Sequence, residues 1–95
     1  MKVRKVKDIQ KVLKKKGFVL NPDKTDHKFY FLYINGKKQN IFKYISHGKQ
    51  EYDKALMSRI KSQLKFPDQN TAEDFFNCPM SGEQYAAMLQ QAGNI

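Results

Sequence analysis

His27 and His47 are the two histidines of a 95-residue chain. With the terminal amine and Cys78, they are its groups that titrate near neutrality. RNA carries a nucleophile in its own 2′-hydroxyl. A protein can therefore cleave it by removing that proton, steadying the pentavalent phosphate with cations and protonating the departing 5′-oxygen. One well-placed imidazole and some lysines suffice. Lys24 and Lys28 lie close to His27 in sequence, and their like charge disfavours the imidazolium, leaving a neutral base. A histidine at the start of a strand is more often a surface or hydrogen-bonded residue, so residue types alone leave both readings open. His47, in Ser46-His47-Gly48, fits turn support. Cys78, with nothing positive nearby in sequence to lower its pKa, fits a small buried residue. One cysteine, two histidines and no CxxC pair make no structural zinc site, and no carboxylate cluster resembles a two-metal nuclease centre. No metal or other cofactor is expected.

The charge is divided along the chain. All 18 basic residues lie within positions 1–65 beside 5 acids, a net of +13, whereas positions 66–95 carry four acids and no Lys or Arg. A surface of that sign attracts polyanions, with nucleic acid the commonest partner and an anionic membrane surface the competitor. The opening MKVRKVKDIQKVLKKKG lacks the apolar stretch of a signal peptide, and the run from Phe29 to Ile34 is far too short to span a bilayer. A cytoplasmic protein is expected, without membrane association.

Hydrophobic spacing gives the elements that must position these residues. Val6, Ile9 and Leu13 predict a helix over 4–16, capped by Gly17. A short strand follows at 18–20, then a longer one over 27–34. Asn35-Gly36 is a strong hairpin signal joining it to a strand over about 38–45. Tyr52, Leu56, Ile60 and Leu64 predict a second helix over 51–64, stopped by Pro67. Two short helices close the chain: 72–77, introduced by Thr71, and 83–92, introduced by Ser81, which has capping-box spacing to Gln84. The fold class is α+β, α-β-β-β-α in order. A three-stranded antiparallel sheet has helices on one face, and a short helical extension follows. The division is a core over 1–66 and an acidic extension of the same domain over 67–95. Phe75, Phe76, Tyr85, Met88 and Leu89 favour packing of that extension over a role as an internal competitor for RNA.

The hairpin has two faces. A two-residue loop places His27, Phe29, Phe31 and Tyr33 opposite Tyr44, Phe42, Asn40 and Lys38. The other face carries Lys28, Tyr30, Leu32 and Ile34 with Lys43, Ile41 and Ile45. Helices with a single apolar stripe cover one face, and the aliphatic one is expected inside. That leaves Phe29, Phe31, Phe42 and Tyr44 open, an arrangement that stacks unpaired RNA bases. The competing reading is that the aromatic row is core.

The segments Val12-Leu13-Lys14-Lys15-Lys16-Gly17-Phe18-Val19-Leu20, Thr25-Asp26-His27-Lys28-Phe29-Tyr30, Asn35-Gly36-Lys37, His47-Gly48-Lys49-Gln50-Glu51 and Ile60-Lys61-Ser62-Gln63-Leu64, in that order and spacing, resemble the HicA family of mRNA interferase toxins. The resemblance covers about residues 5–66. It implies a double-stranded-RNA-binding-domain-like fold and metal-independent cleavage of mRNA, an endoribonuclease toxin of a type II toxin–antitoxin system. It also implies neutralisation by a HicB-type antitoxin. His27 matches the catalytic position, with His47 and Thr25 as supporting residues. Lys24-Thr25-Asp26 stands where the family has its turn glycine, and most of the family ends near the position of Phe66. The expected RNA contacts are Lys24, Lys28, Lys43, Lys49, Phe29 and Phe42. The alternative is a non-catalytic RNA-binding or antitoxin-binding module of the same fold. A homodimer is a further partner option.

Overall fold

In the computed structural model the described residues are 1–22, 28–45, 48, 50–77 and 79–95. The chain runs β1 (Arg4–Lys5), α1 (Val6–Lys15), β2 (Phe18–Pro22), β3 (Lys28–Ile34), β4 (Lys37–Ile45), β5 (Glu51–Tyr52), α2 (Lys54–Gln63), α3 (Gln69–Asn77) and α4 (Gly82–Gln91). This is an α+β fold with a three-stranded antiparallel sheet ordered β2-β3-β4. Among the described residues no helix is long and apolar enough to cross a membrane.

Local chemistry explains the boundaries. Val6, Ile9 and Leu13 are buried along one side of α1, and Gly17 leaves the helix at φ +103°, a conformation that a side chain resists. Asn35 and Gly36 both take positive φ, 52° and 79°, the turn whose twist suits a two-residue hairpin. The capping box of α4 is complete: the Ser81 hydroxyl accepts from the Gln84 N–H, and the Gln84 side chain accepts from the Ser81 N–H.

Three helix starts differ from expectation. Arg4 and Lys5 do not open α1 but form β1, and the helix begins at Val6. Glu51 and Tyr52 do not open α2 but form β5, pairing antiparallel with Lys5 and Arg4. Asp53 then caps α2, its carboxylate accepting from the Leu56 N–H at 2.9 Å. The four-residue step from Tyr52 to Leu56 mimics a helical stripe, but the capping aspartate between them sets the real start. Helix α3 begins at Gln69 because Asp68, not Thr71, is its cap and accepts from the Thr71 N–H at 2.7 Å. Hydrogen bonding to Thr71 holds the Asp68 carboxyl below the usual range.

The extension is part of the single core. Phe75 is fully buried among Tyr85, Phe66 and Phe76, with ring centroids at 4.9, 5.1 and 5.1 Å, and meets Phe18 of β2 edge-on. The buried Lys16 ammonium donates to the Phe75 carbonyl at 2.9 Å and to the Met80 carbonyl. It thus ties the end of α1 to the end of α3. A Cβ on Gly82 would stand 3.0 Å from the Lys16 carbonyl oxygen, so α4 starts directly on the backbone that ends α1. Arg4 pairs with Glu73 at 2.7 Å and donates to Asn77.

Two stability predictions arise here. Lys65 ends α2 at φ +67°, with Phe66 N–H donating to the Lys61 carbonyl and Lys65 N–H to that of Ser62. This is a Schellman end built without glycine. Lys65→Gly is expected to stabilise by about 1 kcal/mol and raise Tm by ~4–8 °C; an unchanged or lower melting temperature would contradict this. The second concerns alkali. Tyr85 is fully buried, its hydroxyl donating to the Leu64 carbonyl at 2.7 Å. Burial pushes its pKa far up, and burial also raises Tyr30 and Tyr52. Unfolded tyrosine ionises at about pH 10. Above that pH the unfolded chain binds fewer protons than the folded one, so stability falls as pH rises. Lys43, held low, acts oppositely but is one group against three. Part of the phenolate absorbance is expected to appear together with loss of the helical circular dichroism signal. Independent ionisation of all five tyrosines near pH ~10 in a folded chain would contradict this.

Candidate functional site

The two faces of the sheet differ as the alternation of β3 and β4 requires. Tyr30, Leu32, Ile41 and Ile45 are buried under the helices, as is Phe18 of β2. The opposite face carries Phe29, Phe31 and Tyr44, each half-buried, and Phe42, which is 44% exposed. The aromatic row is therefore not core. Val19 of β2, 47% exposed, lies across from Phe31 and widens this face.

The ladder is not the regular one expected from the turn. Near the loop Tyr33 pairs with Lys38, but beyond it Phe31 pairs with Phe42 and Phe29 with Tyr44. Leu32 alone on β3 thus stands against Gln39, Asn40 and Ile41 on β4, a bulge of two extra residues. An offset of two preserves which face each side chain takes while sliding the partners by one pair. Phe31 and Phe42 meet across the strands as a result, with centroids 5.1 Å apart and tilted by 31°, while Phe29 and Phe31, neighbours along β3, stack at 6.4 Å and 22°. Tyr44 stands edge-on to Phe29 at 5.2 Å.

The cations are distributed unevenly. Lys28 is exposed at the start of β3. Lys43 must be corrected as a phosphate contact: it belongs to the helix-covered face and is only 6% exposed. Its ammonium donates to Gln63 at 2.8 Å and lies 5.2 Å from the Tyr52 ring centroid. Desolvation, followed by the nearby Arg59 charge, lowers its pKa. The lysine on the aromatic face is instead Lys38, whose Nζ lies 3.9 Å from the Phe31 ring centroid. Its pairing with Tyr33 across the turn was the signal in the sequence that places it there. His27, His47, Thr25, Lys24, Lys49 and Cys78 lie outside the described residues. By sequence His27 immediately precedes the first residue of β3.

A row of accessible rings can stack on flat, unpaired bases, and the Lys38 ammonium at its turn end can meet a phosphate. No family model, curated protein or solved structure matches the chain.

Proposed function

We propose that this protein is a metal-independent endoribonuclease of the HicA toxin kind, acting on mRNA in the cytoplasm and opposed by a HicB-type antitoxin. The observation that carries the reading is the open aromatic face of β3 and β4, which leads along β3 to the residue that follows His27. The order of one helix, three antiparallel strands and then helices supports a double-stranded-RNA-binding-domain-like topology. In this reading neutral His27 takes the 2′-hydroxyl proton, and the 2′-oxygen attacks the adjacent phosphorus. The bond to the 5′-oxygen breaks, and that oxygen leaves with a proton taken from water, the proton on His27 then returning to solvent. Lys24, Lys28 and Lys49 supply positive charge to the phosphate, with Thr25 and His47 in support.

The second reading, a non-catalytic RNA-binding or antitoxin-binding module, is favoured by one feature of the sequence: Lys24-Thr25-Asp26, with Asp26 preceding His27 in the chain, stands in place of a turn glycine. The test is to incubate the protein with single-stranded RNA in chelator. Fragments ending in 2′,3′-cyclic phosphate, made by wild type and not by His27→Ala, support the nuclease. Bound but intact RNA in both supports the module.

A further inference from the structure

We propose that the Phe31–Phe42 pair is a stacking subsite for unpaired bases of single-stranded RNA. Lys38 is its built-in placeholder, leaving the Phe31 ring for an RNA phosphate when a base arrives. This rests on the RNA reading above and adds a residue and a binding mode to it.

The geometry locates the subsite at the turn end of the hairpin. Phe42 is the most open ring of the row, and Phe31 lies beside it with its centroid 5.1 Å away. At the other end Tyr44 stands at 60° to Phe29, so a flat base cannot lie across that pair as it can across Phe31 and Phe42. The bulge makes the subsite. In a regular ladder Phe31 would face Asn40, whereas the two extra residues of β4 bring Phe42 opposite it.

Lys38 explains how such a surface persists in water. Its ammonium, 3.9 Å from the Phe31 centroid, covers an apolar ring with a charge. A cation–π contact at an exposed site is weak enough to yield to a phosphate. A base and its phosphate together replace both halves of the contact, the base taking the ring and the phosphate the ammonium. Paired bases hide their faces inside the helical stack, so this exchange selects single strands.

The test is equilibrium binding of a labelled single-stranded RNA and of the same sequence as a duplex, by fluorescence anisotropy across a salt series. Phe42→Ala is expected to weaken single-strand binding by roughly ten- to a hundred-fold and duplex binding far less. Lys38→Ala is expected to flatten the salt dependence by about 0.7 in slope, one phosphate contact on a single strand. The chain has no tryptophan, so the indole introduced by Phe42→Trp reports the site alone, and quenching by RNA is expected. Single-strand binding unchanged in Phe42→Ala and Lys38→Ala would overturn the subsite and leave the RNA reading standing. Failure of wild type to bind either RNA would overturn both. An indole signal that shifts with protein concentration alone would give the face to a second copy of the chain and overturn the subsite.

Discussion

Deleting residues 67–95 is expected to leave a chain that does not fold. The deletion removes Ala72, Phe75, Phe76, Tyr85 and Leu89, all buried within the one core. It uncovers Phe18 and Phe66, whose rings pack on Phe75 and Tyr85. It also strands the buried ammonium of Lys16, which donates to the Phe75 and Met80 carbonyls. Truncating one buried phenylalanine costs about 3–5 kcal/mol, and a domain of this size is stable by only roughly 5–15 kcal/mol in all. Phe75→Ala in the full chain should therefore fall close to the threshold, and the deletion well below it. Circular dichroism and chemical denaturation measure both. A soluble, cooperatively melting fragment 1–66 would contradict the prediction and revive a detachable acidic competitor for RNA.

The second large effect is chemical. His27→Ala is expected to lower cleavage of single-stranded RNA by about 10²–10⁴-fold, the usual contribution of a positioned proton-transfer group. RNA affinity should change little, because the aromatic face and the lysines remain. Wild-type rate should rise with pH through the imidazole range, about 6.5, since the neutral ring is the working form. Equal RNA decay by wild type and variant, or a rate that falls across that range, would contradict the assignment of His27 as base.

Periodicity and turn chemistry made much of this fold legible. Val6, Ile9 and Leu13 gave α1, Asn35-Gly36 gave the hairpin, and Ser81 with Gln84 gave α4. The two faces of the hairpin were legible because an offset of two leaves alternation intact. The pairing itself was not, since counting outward from a turn assumes a ladder without bulges. The β1–β5 pairing was hidden because it joins two-residue segments 46 or more positions apart in sequence, too short to carry a pattern. Lys16 and Lys43 show a different limit. By type each looks like a solvated cation, and only the carbonyls around one and Gln63 beside the other reveal that they are buried. For the site, alternation was enough to find the open rings and to set Lys38 among them. The contact between Lys38 and Phe31 needed three dimensions.

The closure of residue 4 onto residues 52, 73 and 77 bears on how the molecule comes into being. A ribosome adds roughly 5–20 residues per second, so α1 exists for seconds before α3 has been made. Over that interval the apolar stripe of Val6, Ile9 and Leu13 has β2 to pack on but lacks α3. Residues 4–13 thus wait on residues 72–89 to complete their core, and the part of the chain made first holds all 18 basic residues. The strands that bear the aromatic row end at Ile45, but the core beneath them is completed only when Phe75, Tyr85 and Leu89 have been made. Any function that depends on the folded sheet must therefore wait until residues 72–89 have been made and can pack beneath it.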